Sequence, residues 1–250
     1  MTEYTTPQKV ALVTGANKGL GRAAAARLAA LGMTVLLGAR NPALGAEAAA
    51  AIDGDVHAVT LDVTDPFSIE ALAGLVEQRY GHLDVLVNNA GISGSGPVDP
   101  VKAVDQLPST VDVDMVRRVF ETNVFGVISV TNAMLPLLRR SPAPRIVNMS
   151  SHAGSLTICS SPAFAGLPQS AAYSPSKSAL NALTVQYASE LRSSGIKVNA
   201  AAPGYCATDS NNHTGTRTPD EGAAIVVELA TLPDDGPTGG YFSDEGPIPW

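Results

Sequence analysis

The fold is decided by one stretch near the start of the chain, residues 9–31, which reads KVALVTGANKGLGRAAAARLAAL. Residues 9–14 form a short apolar run, which is typical of a buried strand. Residues 19–31 are rich in alanine, the strongest helix former, and predict a helix. The turn between them carries three glycines, which let the backbone bend tightly and approach a phosphate, while the helix N-terminus offers free N–H groups. The stretch therefore predicts the first strand and helix of an α/β fold, joined by a phosphate-binding turn.

The same alternation of strand and helix continues along the chain. Further strands are predicted over residues 33–38, 56–61, 84–88, 145–149, 196–201 and, briefly, 240–242. Further helices are predicted over residues 42–51, 66–79, 112–138, 171–193 and 219–231. Regular alternation favours a parallel sheet with helices on both faces. We therefore predict a single α/β domain over residues 1–250, with a doubly wound parallel sheet and an N-terminal tail at residues 1–8.

Composition and charge exclude several function classes. The net charge is −7, without a cluster of basic residues, which argues against a nucleic-acid-binding or membrane-surface protein. The N-terminus lacks an apolar signal core, and the most apolar stretch, residues 23–39, is interrupted by Arg27 and Gly32. The two cysteines, Cys159 and Cys206, are too few for a disulfide framework. These features predict a cytoplasmic protein with free thiols that binds neither nucleic acid nor a membrane.

Two other kinds of site are disfavoured. The four histidines have no spacing typical of metal ligands, and no Cys-x-x-Cys motif is present, so we predict no metal site. These histidines are His57, His82, His152 and His213. The sequence also lacks the Gly-x-Ser-x-Gly elbow of many serine hydrolases.

The glycine turn and the residues after the second predicted strand favour a particular nucleotide. The turn has the spacing Gly-x-x-x-Gly-x-Gly from Gly15 to Gly21, and it lacks the Gly-Lys-Ser/Thr of a P-loop. Where an NAD site has an acidic residue for the ribose, this chain has Arg40, 19 residues after Gly21, and Lys18 adds a second cation inside the turn. Because both side chains attract a phosphate, they predict binding of the 2′-phosphate of NADP. The alternative is an ordinary strand-to-helix turn with two solvated charges.

A tyrosine and a lysine lie four residues apart near the start of another predicted helix. Tyr173 and Lys177 would share one face of that helix, and a neighbouring ammonium lowers the pKa of a phenol. Such a tyrosine could donate a proton to a carbonyl oxygen as hydride arrives. Ser150 and Ser151 follow the fifth predicted strand, at an edge where ligands gather in open α/β sheets. The alternatives are a tyrosine packed on a lysine stem and a polar strand end.

Taken together, these motifs resemble the classical short-chain dehydrogenase/reductase family. They occur in the family's order from about residue 9 to residue 208. The matching segments are Thr14-Gly15-x-x-x-Gly19-x-Gly21, Asp62-Val63, Asn88-Asn89-Ala90-Gly91, Asn123, Ser150-Ser151, Tyr173-x-x-x-Lys177 and Pro203-Gly204-x-x-x-Thr208. Asn17-Lys18, Arg40 and the tail at residues 239–242 are most similar to the carbonyl reductase branch. The resemblance implies a Rossmann-type fold and a reversible, NADP(H)-dependent reduction of a ketone or aldehyde to an alcohol.

The resemblance also implies a role for each catalytic residue. Tyr173 would be the general acid and base, and Lys177 would bind the nicotinamide ribose and lower the pKa of the tyrosine. Ser151 would orient the substrate carbonyl, with Ser150 as the alternative. Asn123 would lie in the middle of a helix and hold a water molecule that relays protons to Lys177.

The same resemblance implies the cofactor contacts. Asp62 would contact the adenine, residues 89–91 would line the adenosine ribose, and Pro203, Gly204 and Thr208 would hold the nicotinamide end. The complete set of expected cofactor-binding residues is Gly15, Asn17, Lys18, Gly19, Leu20, Gly21, Arg40, Asp62, Val63, Asn89, Ala90, Gly91, Tyr173, Lys177, Pro203, Gly204, Cys206 and Thr208.

Three segments leave alternatives open. Ser151 and Tyr173 are 22 positions apart, and the insert at residues 152–170 could cover either the pocket or an oligomer face. The apolar segment 179–191 suits the helix through which many relatives form homodimers or homotetramers. The polar segment 209–218 resembles a substrate lid, and an inert surface loop is the alternative.

Two other functions fit parts of the pattern. A non-catalytic NADP-binding regulator would keep the glycine turn but needs no general acid, so the complete set of Ser, Tyr, Lys and Asn argues against it. A sugar-nucleotide epimerase carries an extra substrate domain, and only 73 residues follow Lys177. We therefore predict an enzyme that acts on a small-molecule carbonyl or alcohol, with the regulator as the alternative.

Overall fold

The structure, a computed structural model, describes residues 8–94, 106–164 and 169–250. Its strands are β1 (Val10–Val13), β2 (Thr34–Ala39), β3 (Val56–Thr60), β4 (Val85–Asn88), β5 (Arg145–Met149), β6 (Lys197–Ala201), β7 (Tyr241–Ser243) and β8 (Gly246–Pro247). Its helices are α1 (Gly19–Ala30), α2 (Pro42–Ala50), α3 (Pro66–Arg79), α4 (Val113–Phe120), α5 (Gly126–Leu138), α6 (Leu156–Cys159), α7 (Tyr173–Glu190) and α8 (Pro219–Ala230).

Within these ranges the strands form one sheet in the order β3-β2-β1-β4-β5-β6-β7-β8. Neighbouring strands from β3 to β7 are parallel, and β7 and β8 pair antiparallel. The chain builds outward from β1 to β3 and then places β4 on the other side of β1. This reversal creates a switch point at the carboxyl ends of β1 and β4, where ligands bind in open α/β sheets. The predicted doubly wound, Rossmann-type fold is confirmed.

Both faces of the sheet are buried, which explains why its central strands are apolar throughout. In β1, Leu12 packs on the face covered by α3, α5 and α7. Ala11 and Val13 pack on the opposite face, which is covered by α1, α2 and α8. A parallel sheet with helices on both faces requires apolar residues at successive positions rather than at alternate ones. The strand register aligns the carboxyl ends of the three central strands, because Val13 of β1 lies between Leu37 of β2 and Val87 of β4.

Two predicted helices differ from the observed ones. The helix predicted over residues 112–138 is interrupted by a π-helical turn, Glu121–Phe125, which separates α4 from α5. A π turn widens one turn without ending the helix, so the sequence pattern changes little there. The helix predicted over residues 171–193 is observed as the shorter Tyr173–Glu190. At its C-terminal end a 3₁₀ turn follows, and Gly195 then turns the chain at a φ of 70°.

Smaller differences concern the bounds of one strand and the irregular insert after Ser151. β2 begins and ends one residue later than predicted. The insert after Ser151 contains a 3₁₀ turn at His152–Gly154, then α6, then a second 3₁₀ turn at Pro162–Phe164. Residues 165–168 of this insert and residues 1–7 of the predicted N-terminal tail lie outside the described residues.

Some features of the composition can be checked against the structure. Both cysteines are free thiols, as predicted, with Cys206 buried and Cys159 half-buried. In residues 8–94, 106–164 and 169–250, no helix is long and apolar enough to cross a membrane. The same ranges contain no group of three or more His, Cys, Asp or Glu side chains that could hold a metal ion.

Candidate active site

The glycine turn lies at the carboxyl end of β1 and packs against the residues that follow β4. Gly15 and Gly19 have φ values of +61° and +57°, a region that favours glycine. A Cβ on Gly15 would lie 2.9 Å from the Ala90 Cα, and a Cβ on Gly21 would collide with the Asn89 side chain. Among the described residues no side chain caps α1, so the N–H groups of its first turn can bind an anion. This cradle fits the pyrophosphate of a dinucleotide.

Two side chains lock this turn to the end of β4. The Thr14 hydroxyl accepts hydrogen bonds from the backbone N–H groups of Asn89 and Ala90, at 3.0 and 2.9 Å. The Asn89 side chain donates to the carbonyl oxygens of Thr14 and Gly15, at 2.8 and 3.0 Å. The sequence predicts ribose contacts at residues 89–91 and no role for Thr14. The structure adds that Thr14 and Asn89 together fix the shape of the turn.

The two basic residues expected at the 2′-phosphate have different surroundings. The Lys18 ammonium lies 2.7 Å from Asp209 Oδ2, while Asp209 Oδ1 lies 2.9 Å from His213 Nε2. The hydrogen bond from Lys18 is the main reason that the pKa of Asp209 is lowered. Arg40 is exposed after β2. Burial acts to raise the pKa of Asp62, but hydrogen bonds from the next loop and the charge of Arg40 outweigh it and lower the pKa.

Tyr173 and Lys177 lie together at the start of α7. The Lys177 ammonium is 5.6 Å from the centre of the Tyr173 ring and donates to the Met149 carbonyl oxygen at 2.7 Å. The lysine is 4% exposed, and this burial lowers its pKa to about 8. Burial also raises the pKa of Tyr173, and a hydrogen bond with Ser151 opposes that rise. The prediction of a lowered Tyr173 pKa is therefore wrong for the net shift, because burial outweighs the effects of the neighbouring groups.

The structure separates the two serines that the sequence left as alternatives. Ser150 is buried, and its hydroxyl donates to Asn181 Oδ1 at 2.6 Å. Ser151, one residue further along, has its side chain next to the Tyr173 phenol, where it acts to lower the pKa of that group. Its hydroxyl also accepts a hydrogen bond from the Ala153 N–H at 3.3 Å. Ser151 is thus the serine that lies beside the tyrosine.

Asn123 lies inside the π turn and is fully buried. Its side chain binds both backbone groups of Ile92, accepting from the N–H at 2.8 Å and donating to the carbonyl oxygen at 2.9 Å. It also donates to the Ser176 hydroxyl at 3.0 Å. A Cβ on Gly91 would lie 3.3 Å from Asn123 Oδ1 and 3.5 Å from the Lys177 Nζ. Asn123 therefore holds the chain after β4 against α7, close to the lysine.

The chain after β6 folds back over the glycine turn. Gly204 has a φ of +80°, and a Cβ there would lie 2.9 Å from the Arg217 side chain. The Thr208 methyl group lies 3.4 Å from the position of a Cβ on Gly19. Cys206 is buried, its thiol donates to the Pro203 carbonyl oxygen at 3.3 Å, and burial raises the pKa of that thiol. Thr208 is thus the part of this segment that meets the glycine turn.

The segment at residues 209–218 is a compact loop. The Asn211 side chain donates to the Cys206 carbonyl oxygen at 2.8 Å and accepts from the Thr208 N–H at 3.1 Å. The loop closes where the Ala207 N–H donates to the Arg217 carbonyl oxygen at 2.7 Å. Hydrogen bonds within the loop, together with the ion pair to Lys18, give it a defined shape.

Most of the predicted site residues converge at the carboxyl edge of the sheet, and one does not. The Val63 side chain belongs to the core, and its backbone packs on Gly126 of α5, so only its backbone could meet a ligand. Sequence reasoning missed several buried residues with polar groups behind the site, for which a polar side chain in a largely buried element was the available signal. Besides Thr14, they include Asn148, Ser176, Asn181 and Tyr241.

Comparison with known proteins agrees with this geometry. The family model described as short chain dehydrogenase matches residues 9–218. A (+)-neomenthol dehydrogenase of Capsicum annuum is 32% identical, and the match covers 97% of this chain and 98% of that protein. A (-)-isopiperitenone reductase of Mentha piperita is 34% identical over 94% of this chain and 96% of its own length.

A solved structure supports the same assignment. Salutaridine reductase from Papaver somniferum superposes with a TM-score of 0.79 at 30% sequence identity, covering 95% of this chain and 100% of that chain. The family model spans most of the chain, and the relatives match it almost from end to end. This chain therefore belongs to the short-chain dehydrogenase family, whose members are oxidoreductases that use a nicotinamide cofactor.

Proposed function

We propose that this protein uses NADP(H) to reduce a ketone or aldehyde to an alcohol, reversibly, with Tyr173 as the general acid. The observation that carries the proposal is that the Ser151 side chain lies beside the Tyr173 phenol, next to the buried Lys177 ammonium. This arrangement can offer one carbonyl oxygen both a proton and a second hydrogen bond. The names of the similar proteins, one dehydrogenase and two reductases, agree with that chemistry.

The proton transfer depends on Tyr173 holding its proton at neutral pH. Burial raises the pKa of the phenol, and the hydrogen bond with Ser151 offsets only part of the rise. The tyrosine is therefore a neutral acid at pH 7. A bound nicotinamide would supply or accept the hydride. As negative charge develops on the substrate oxygen, Tyr173 would donate its proton to that oxygen while Ser151 stabilises it by a hydrogen bond.

Lys177 and Asn123 would support this step through charge and position. With a pKa of about 8, most Lys177 side chains carry a charge at pH 7. The Met149 carbonyl group takes one of the three ammonium N–H bonds, which leaves two for the nicotinamide ribose hydroxyls. The same charge would stabilise a phenolate at Tyr173 after proton transfer. Asn123 would keep the chain after β4 in place, and the π turn around it would hold the water molecule of the proton relay.

We further propose that Asp62 contacts the adenine, residues 89–91 the ribose, and the Pro203–Thr208 loop the nicotinamide. Among the described residues Val185 of α7 is an exposed large apolar side chain, which supports a homodimer or homotetramer through that helix. The two free thiols favour a reducing compartment, the cytoplasm.

The preference for NADP(H) tests the proposed cofactor. We expect NADPH to give a kcat/KM about 10–100-fold above NADH, because Lys18 and Arg40 add charge-assisted contacts to the 2′-phosphate. The double variant K18A/R40A should lose most of this preference and leave the NADH value nearly unchanged. Loss of absorbance at 340 nm, with activated diketones, quinones and bulky cyclic ketones as substrates, measures both.

An exposed arginine away from the glycine turn serves as the control. Arg139 follows α5, and R139A should keep the wild-type ratio of NADPH to NADH. A wild-type preference for NADH would overturn the NADP assignment. Absence of turnover in a protein that still binds NADPH would overturn carbonyl reduction and favour a non-catalytic NADP-binding regulator.

We also propose that residues 209–218 act as a lid tied to the glycine turn. The Lys18–Asp209 ion pair joins the two segments, and a 2′-phosphate would compete with Asp209 for the same ammonium. Both side chains are about half exposed, so the pair contributes little energy and can open readily. Binding of NADP(H) would thus release the lid, whereas NAD(H) would leave it tied.

Removing the carboxylate should loosen this lid. In D209N we expect the Kd for NADPH to fall by about two- to fivefold, which is the scale of an exposed ion pair, with no change for NADH. Amide hydrogen exchange in residues 207–217 should become faster. D220N is the matched control, because Asp220 pairs with Arg27 at 2.7 Å in another part of the surface. Weaker NADPH binding by D209N, or wild-type exchange in the loop, would refute the lid.

A further inference from the structure

Tyr241, on β7, lies directly behind the serine of the proposed reaction. It is 2% exposed, and its hydroxyl donates a hydrogen bond to the Ser151 carbonyl oxygen. The same carbonyl oxygen accepts the Gly154 N–H at 2.7 Å. Both lone pairs of this oxygen are therefore used, one by the local 3₁₀ turn and one by a strand 90 residues away in sequence. Tyr241 is the link between Ser151 and the distant edge of the sheet.

The tyrosine ring is itself held by the tail of the chain. Its ring stacks on Trp250 with centroids 5.3 Å apart and an angle of 16° between the planes. The tail also binds the segment after Ser151, since the Ser155 hydroxyl donates to the Pro249 carbonyl oxygen at 2.6 Å and the Thr157 N–H to that of Trp250 at 3.0 Å. The tail thus fixes both the tyrosine and the turn that it contacts.

The hydroxyl of Tyr241 is suited to a fixed structural contact. Burial raises its pKa to about 12, and the neighbouring Ser150 and Asn181 side chains act in the opposite direction. The phenol therefore stays protonated, and it can donate to the Ser151 carbonyl group throughout the pH range in which proteins are stable. Its position among Ser150, Asn181 and Ser151 leaves it no direct role toward a substrate.

We propose that Tyr241 is a positioning residue, which holds the Ser151 backbone so that the Ser151 hydroxyl faces the substrate carbonyl beside Tyr173. This inference rests on the proposed function, because it assigns a support to the serine of that reaction. Ser151 is extended, with φ −163° and ψ 150°, and directly precedes the turn at His152–Gly154. Without the tyrosine hydroxyl, the Ser151 carbonyl oxygen would keep the bond from the Gly154 N–H and lose its direct bond to β7.

The test removes a single oxygen atom from this contact. In Y241F we expect kcat for isatin, a cyclic ketone activated by an adjacent lactam carbonyl, to fall by about 10-fold, the scale of one lost hydrogen bond, while the KM for NADPH stays within about twofold. In a S151A background the same substitution should cause no further loss, because the residue it positions is absent. Y187F is the matched control, since Tyr187 is also buried and donates to Asn132 Oδ1 at 2.8 Å.

A second readout needs no turnover. Amide exchange at residues 153–155 should be faster in Y241F than in the wild type and unchanged in Y187F. Wild-type exchange in Y241F, an undiminished kcat, or equal losses with and without Ser151 would each overturn the inference. A wild-type protein that reduces no carbonyl with either cofactor would refute the proposed function instead, and the exchange at residues 153–155 would still decide whether Tyr241 holds the turn.

Discussion

Replacing Tyr173 with phenylalanine is expected to lower kcat for carbonyl reduction by about 10²–10⁴-fold, the usual contribution of a general acid. Phenylalanine keeps the ring that packs 5.6 Å from the Lys177 ammonium, so the site retains its shape and loses only the proton. Affinity for NADPH should therefore change by no more than about twofold. Steady-state rates at 340 nm give kcat, and quenching or enhancement of NADPH fluorescence gives the Kd.

The control for this experiment is a tyrosine whose hydroxyl takes no part in the site. Tyr80 follows α3, and its buried hydroxyl has no hydrogen-bond partner among the residues that the structure describes. Y80F should thus keep wild-type kcat and a similar melting temperature. Wild-type turnover by Y173F would defeat the mechanism, whereas loss of both turnover and NADPH binding would show that the tyrosine holds the cofactor rather than the proton.

Rather more of the fold than of the site follows from the sequence. The strand predicted over residues 145–149 coincides with β5, because an apolar run between a proline-containing loop and a serine pair leaves little choice of boundary. The π turn at Glu121–Phe125 escapes such reasoning, since it alters the helix by a fraction of a turn while the apolar pattern continues. Where the local signal is strong, the sequence determines the element.

The site depends on contacts between residues far apart in the chain, which the sequence pattern does not contain. Ser150 and Ser151 look equivalent at the end of a strand, yet neighbouring side chains in extended backbone point to opposite sides. One therefore reaches Asn181 and the other Tyr173. The support from Tyr241 comes from 90 residues away and belongs to no local motif.

The pKa values and ion pairs of the site are likewise difficult to predict from the sequence. A lysine four residues from a tyrosine predicts a lowered phenol pKa. This prediction includes the neighbouring charge but not the burial of the phenol, which the local sequence does not reveal. In the structure burial raises the pKa of Tyr173 and lowers that of Lys177 to about 8. Likewise, Lys18 looks like a free cation in the sequence and is paired with Asp209 in the structure.

The glycine turn offers the sharpest test of whether geometry controls cofactor binding. In G21A the added Cβ would collide with the Asn89 side chain and lie 2.8 Å from the Gly15 carbonyl oxygen. The φ of Gly21 is not positive, so the effect is one of space rather than of backbone strain. The Asn89 side chain would have to leave the Thr14 and Gly15 carbonyl groups, and the cradle would lose its shape. We expect NADPH affinity to fall by about 100-fold, which corresponds to a loss of about 2.7 kcal/mol in binding.

The same substitution should also lower the free energy of unfolding by about 1–3 kcal/mol, as overpacking usually does. Fluorescence titration with NADPH and thermal denaturation measure the two effects. G74A is the matched control, because Gly74 lies within α3 and no atom of the described residues lies within 4 Å of an added Cβ there. Alanine in that helix should stabilise the protein by about 0.5–1 kcal/mol and leave NADPH binding unchanged. If G21A bound NADPH as tightly as G74A does, the close packing of the turn against Asn89 could not be what shapes the cofactor site.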